Sequence, residues 1–215
     1  MNYEALFHPQ TIAVIGANES EGFGGAVCRN LCDYIDDPSR IFFVNPRRET
    51  LLGRPCYPSL SEVPSPIDLA VIATNKRTVI PLLREGKTRG LKAAVIFASG
   101  FSETGRPEDL ALEEELIRTA RELDITILGP NCAGFSNFRH GVNAFAFLSE
   151  KRDRQGHIGI VSQSGMIGLS LNDHQYTRFS YNISCGNAGA LTLPDLIRFL
   201  ADDPDTRVIG LYIDG

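Results

Sequence analysis

The residues able to do chemistry in this 215-residue chain gather where short apolar runs end. Five such runs are followed in turn by GANESEGFGGAV, NPRR, TNKR, SGFSETG and GPNCAGF. Gly16, Gly22, Gly24 and Gly25 permit close backbone approach, and a helix starting there directs free N–H groups and the positive end of its dipole outward. Arg47, Arg48, Lys76 and Arg77 add positive charge to the same rim. That combination predicts an anion pocket, most simply one for the phosphates of a nucleotide. A sixth end, SQSG at 162–165, repeats the logic. A helix beginning at about Ser164 would leave the N–H groups of Gly165 and Met166 unpaired, which makes a second anion seat of Ser164, Gly165 and Met166. The GPNCAG end poses a different question. Turn chemistry accounts for Gly129, Pro130 and Gly134, but not for Asn131 and Cys132 at the end of a strand.

The elements that must position these residues are legible from hydrophobic texture. The runs at 11–17, 40–45, 68–74, 92–99 and 124–129 are almost continuously apolar, as strands are when both faces are covered. Helical patterns lie between them at 24–34, 76–90 and 107–124. The last carries Leu110, Leu112, Leu116, Ile117 and Ala120 on one stripe, with acidic residues early and Arg121 late. Strands alternating with helices predict an α/β fold with a Rossmann-like, doubly wound parallel sheet, whose ligands bind at the carboxyl ends of the strands. Residues 56–66 form a turn-rich insert. The expected domain spans 1–138, followed by a linker at 139–156 and a second β-α-β series at 157–215. That series has strands at 157–165, 179–184 and 207–214 and helices from Gly165 and over 193–203. About 60 residues barely bury a core. The chain stops just after a strand, so the second unit is expected to be the first part of a larger flavodoxin-like domain in a longer protein.

Bulk properties narrow the function. A net charge of -5 argues against nucleic acid and anionic membrane surfaces, and no apolar run reaches the roughly 18 residues that span a bilayer. Five cysteines without a CxxC pair suit a reducing cytoplasm. No metal site is expected. An NAD(P)-dependent oxidoreductase is the first rival reading, favoured by the glycine loop. Against it, the loop is not GxGxxG, and the second strand ends in Asn45 where an acidic residue would hold the ribose. His8, His140, His157 and His174 read as structural.

Taken together, TIAVIGA…GFGGAVCRNL, FFVNPRRETLLGRPCYPSLSEVPSPIDLAVIAT, AAVIFASGFSE, ILGPNCAGFSN and GIVSQSGMIG resemble the CoA-binding and following domain of NDP-forming acyl-CoA synthetases. These are similar in turn to the alpha subunit of succinyl-CoA ligase. The resemblance covers roughly residues 7–215. It implies that Gly16, Ala17, Gly24 and Gly25 approach the CoA phosphates or ribose, and that Asn45, Pro46 and Arg47 line the adenosine diphosphate side. Ala73, Thr74, Ser99, Gly100 and Phe101 would follow the pantetheine arm. Asn131 and Cys132 would face the thiol end, with the cysteine as a wall and not a nucleophile. The SQSG helix would steady a phosphoryl group carried on a histidine, which passes it to NDP. The implied partners are CoA and an ATP-grasp domain or subunit in a homo- or hetero-oligomer, with ATP/ADP and Mg handled by parts outside this chain. The sequence departs from the pattern in three ways. No histidine has the relay setting, Asp214 stands where a glutamate normally supports the phosphohistidine, and Met166 is bulkier than the usual residue. A chain without its relay histidine is expected to be inactive alone, and the Asp214 and Met166 departures would also suit a non-catalytic CoA-sensing or scaffold protein.

Overall fold

A computed structural model describes residues 1–149, 155–173 and 176–214. The first sheet contains β1 (Ile12–Ile15), β2 (Ile41–Val44), β3 (Thr50–Leu51), β4 (Arg54–Tyr57), β5 (Leu69–Ile72), β6 (Ala93–Ile96) and β7 (Thr126–Leu128). Its strand order is β3-β4-β2-β1-β5-β6-β7, and all pairs are parallel except β3 with β4. The helices are α1 (Tyr3–Phe7), α2 (Phe23–Tyr34), α3 (Lys76–Thr88) and α4 (Pro107–Glu122). The five expected strands are present, each trimmed by one to three residues at its ends. β4 runs into the start of the turn-rich insert and extends the sheet beyond β2.

The continuous apolar runs have a direct cause. Ile12 and Val14 pack into one core cluster while Ala13 and Ile15 pack into another, and β5 and β6 divide the same way. Successive side chains point to opposite faces, so a strand buried on both sides has no place for polar alternation. The sequence changes direction across β1, whose neighbours are β2 and β5. The loops after β1 and β5 therefore flank the crevice at which such sheets bind ligands.

The second sheet has the order β12-β10-β11-β8-β9, built from β8 (Gly134–Asn137), β9 (Val142–Phe145), β10 (Gln155–Ser162), β11 (Phe179–Ser184) and β12 (Val208–Tyr212), with α5 (Gly165–Asp173) and α6 (Leu193–Asp202). Here the expected linker differs from the structure. Residues 142–145 form a strand that pairs antiparallel with β8, and β8 in turn pairs antiparallel with β11. The hairpin turns where the Asn137 carboxamide oxygen accepts the N–H groups of Arg139 and His140, at 3.1 Å each. It is tied to the first sheet by Asn30 of α2, whose amide donates to the carbonyls of Phe145 (3.0 Å) and Phe147 (2.8 Å). One core runs through both sheets: Val14, Val95, Phe135 and Tyr181 share a cluster. That shared core is how so small a second unit buries its apolar face. Phe7 of α1 supports the junction, stacked 4.4 Å from Phe199 and edge-on to Phe135 and Tyr181.

Candidate functional site

The glycine loop after β1 folds back on its own strand end. Gly16 has φ +84°, and a Cβ there would lie 2.7 Å from the Ala73 carbonyl and 2.9 Å from Thr74, so the loop sits directly against the end of β5. Asn18 holds the turn, donating to the Gly16 carbonyl (3.0 Å) and accepting from the Ser20 N–H (3.0 Å) and hydroxyl (2.6 Å). No side chain caps α2, whose N-cap is Gly22. Its first N–H groups are thus available to an anion.

Several expected site residues hold the loops in place by other means than a ligand-facing side chain. Ala17 is fully buried, and its carbonyl accepts from the Asn45 amide at 2.8 Å. The Asn45 carboxamide oxygen accepts the Arg47 N–H at 3.0 Å. Asn45 therefore joins the ends of β1 and β2 and leaves Pro46 and Arg47 exposed on the rim. Phe101, expected along the pantetheine arm, is fully buried in the core beneath α3 and α4, so its side chain faces no open surface.

Between the ends of β5 and β6 lies an open cavity of about 330 Å³, bordered by Phe23, Ala73, Thr74, Lys76, Phe97 and Ser99 among others. Among the described residues Lys76 is its one cation. The ammonium donates to the Gly100 carbonyl (2.5 Å) and is ion-paired with Asp109. The Lys76 ammonium and the Thr104 hydroxyl hold the Asp109 carboxyl below its ordinary range. The aromatic members, Phe23 and Phe97, are absent from the expected site; the phenylalanine within GFGG was their only signal.

The loop after β7 answers the question raised by GPNCAG. Cys132 does not face the cleft. It is 5% exposed in the shared core, and its thiol lies 3.4 Å from the Ile96 carbonyl and 3.6 Å from that of Leu128. Burial pushes the thiol up to about 12. Its expected place beside a CoA thiol is corrected accordingly: the side chain seals the ends of β6 and β7 from below. Asn131, at φ +57°, turns outward enough to bond Asn187 at 3.1 Å. Asn187 follows β11 and was not legible as a site residue. Its amide also reaches Ser102 (3.1 Å), Glu103 (2.8 Å) and Glu113 (2.9 Å), which joins the loops after β6, β7 and β11.

The turn expected to seat a second anion leads into α5, which begins at Gly165. The Ser162 hydroxyl accepts the Ser164 N–H (3.1 Å) and donates to the Ser164 carbonyl (2.8 Å), which folds the turn. Among the described residues the N–H groups of Gly165 and Met166 have no partner. A Cβ on Gly165 would lie 2.8 Å from the Ala133 side chain and 3.5 Å from the Phe147 ring. The seat therefore abuts the GPNCAG loop. Asp214 is brought to the same turn: its N–H donates to the Gln163 side chain (2.9 Å), and the Gln163 N–H donates to Tyr212 (3.1 Å).

The described histidines lie elsewhere. His8 bridges Glu4 and Tyr181 at 2.9 Å each, His140 stands with its ring 4.1 Å from that of His8, and His157 bonds the Asp205 carbonyl at 2.7 Å. His174 is outside the described residues.

A CoA binding domain model matches residues 10–137, the sheet and loops that surround the cavity. The chain belongs to the CoA binding domain family, and its relatives include ADP-forming acetate–CoA ligases. A succinyl-CoA ligase-like flavodoxin domain model matches residues 155–215, which hold the second seat. The alpha subunit of acetate–CoA ligase [ADP-forming] II from Pyrococcus furiosus is 37% identical over 98% of this chain and 46% of its own length. The trans-feruloyl-CoA synthase of an unknown prokaryotic organism is 36% identical over 98% of this chain and 31% of its own length. The acetyl-coenzyme A synthetase 1 of Ca. Korarchaeum cryptofilum, solved with phosphate and ADP, superposes with a TM-score of 0.90 at 35% identity, over 100% of this chain and 46% of that one. The chain thus spans less than half the length of each of these relatives.

Proposed function

We propose that this chain carries CoA and the phosphate leaving group in an acyl-CoA synthetase whose nucleotide-handling parts lie outside the 215 residues. The adenosine diphosphate end would meet the free N–H groups of α2 through Gly16, Gly24 and Gly25, with Pro46 and Arg47 on the rim. The arm would run past Ala73, Thr74, Ser99 and Gly100 and end near Asn131. At the reacting centre the thiol sulfur attacks the carbonyl carbon of an acyl phosphate. The C–S bond forms, the C–O bond to phosphorus breaks, and phosphate leaves with that electron pair while the thiol proton passes to a base. The seat at Ser164, Gly165 and Met166 would hold the phosphoryl group, favoured by roughly 0.3–1 kcal/mol from the helix end.

The observation that carries the reading is the contact between the two loops. A Cβ on Gly165 would lie 2.8 Å from the Ala133 side chain, so the GPNCAG loop and the start of α5 adjoin, which supports setting the thiol end beside the phosphate seat. A histidine supplied from outside this chain would relay the phosphoryl group to NDP, with Asp214 beside it, and an ATP-grasp partner would hold the nucleotide and Mg. Five free cysteines suit a reducing, cytoplasmic setting. The relatives named above act on different acids by name, which leaves the acid open at this level of similarity.

A thermal-shift titration tests the reading. CoA should raise the melting temperature by mass action while NAD(P)H leaves it unchanged. A shift with NAD(P)H and none with CoA would reverse the assignment.

A further inference from the structure

A pair of aromatic rings stands between the cavity and the phosphate seat. Phe23, the first residue of α2, is 47% exposed although it is a large apolar side chain. Its ring lies edge-on to Phe97 at 6.1 Å and edge-on to Phe147 at 5.4 Å. Phe97 borders the cavity. Phe147 reaches the other side, within 3.5 Å of the Cβ position at Gly165. The next residue, Met166, is 59% exposed. An unbroken apolar track therefore runs from the cavity, over Phe23 and Phe147, to the first turn of α5.

Position gives this track a meaning, on the proposed function above. The reacting carbonyl must sit between the thiol end and the phosphate seat, so its side chain R lies against whatever lines that gap. The lining is two phenylalanines and a methionine. Edge-to-face ring pairs continue most readily into another ring, and methionine sulfur packs well against aromatic edges. Among the described residues that border the cavity the one cation is Lys76, which is held by Asp109 and Gly100 and so is not free for a second carboxylate. An acetyl group is too small to cover these surfaces, and a succinyl group would bring an unpaired charge against them.

We infer that the chain selects a bulky apolar monocarboxylic acid of the aryl class, with Phe23, Phe147 and Met166 as the specificity-determining surface. Calorimetric titration of the 215-residue chain with CoA, acetyl-CoA, succinyl-CoA and phenylacetyl-CoA tests this. Phenylacetyl-CoA should bind about tenfold or more tightly than acetyl-CoA, the scale on which a hydrophobic pocket discriminates, and succinyl-CoA should bind most weakly. Phe147→Ala should bring the phenylacetyl-to-acetyl ratio close to one. Because Phe147 is partly packed, Met166→Glu serves as the second variant: its exposed site leaves the core untouched, and the ratio should fall at least several-fold. Equal affinities for the three acyl-CoA species, or a ratio unmoved by both variants, overturn this inference and leave the CoA reading standing. Failure of every CoA species to bind removes both.

Discussion

Replacing Asn187 with alanine tests how the loops around the site are held together. The Asn187 amide lies 2.9 Å from a Glu113 oxygen and 2.8 Å from a Glu103 oxygen, so one neutral donor separates two carboxylates. Glu113 is 5% exposed, and after the change it keeps only the Ser102 N–H at 2.8 Å. Glu103 faces solvent and keeps the N–H groups of Gly100 and Phe101, so water replaces most of what it loses. A hydrogen bond to a buried charged acceptor contributes about 1.5–3 kcal/mol, and the bonds to Ser102 and Asn131 add up to about 1 kcal/mol more. The expected loss is therefore about 2–4 kcal/mol. For a chain of this size that lowers Tm by about 5–15 °C. With no tryptophan in the sequence, urea unfolding is best followed by circular dichroism. Asn187→Asp should cost more than the alanine, because it brings in a third carboxylate and removes the donor. Combining Asn187→Ala with Glu113→Gln should recover part of the loss, since the glutamine leaves no buried charge unpaired. An Asn187→Ala protein within about 0.5 kcal/mol of the parent, or no coupling to Glu113, would refute the reasoning.

Arg47 is exposed beside the adenosine side of the proposed site. Arg47→Ala should weaken CoA more than dephospho-CoA if the guanidinium meets the 3′-phosphate, and equal losses in paired titrations would remove that assignment. Cys132, with its thiol pushed up to about 12, should be about one part in ten thousand thiolate at pH 8. The less buried Cys32 should therefore be alkylated first by iodoacetamide in mass spectrometry, and Cys132→Ser should retain CoA binding. Burial, with the His8 ring and Arg139 adding to it, holds His140 below its ordinary value of 6.5, against the opposing pull of Glu4 and Asp203. Its folded state thus resists protonation, so stability should be full above about pH 6.5 and decline as pH falls below it, where the unfolded chain takes up the proton. His140→Gln should flatten that part of the stability–pH curve, and an unchanged curve would show that other groups govern it.

What local sequence settles here is whatever depends on neighbours along the chain. Strands buried on both faces announce themselves as unbroken apolar runs, because each successive side chain meets one of two cores, and all five were found to within three residues at each end. The glycine loop and the SQSG turn were legible for the same reason: Gly16 must adopt a positive φ, and α5 starts one residue from its expected place because serine hydroxyls fold the turn that precedes it. What depended on partners far along the chain was not legible. β8 read as the end of the first domain and β9 as linker, because the hairpin is specified by pairing with β11 and by Asn30, more than 110 residues before Phe145. Cys132 read as ligand-facing because spacing places a residue at a strand end but not the direction of its side chain, which here follows the core between the sheets. Phe23 and Phe147 lie 124 positions apart, and Asn131 and Asn187 lie 56 apart. Their meeting needs both sheets to pack, since no local period carries a contact between residues that only the folded core brings together.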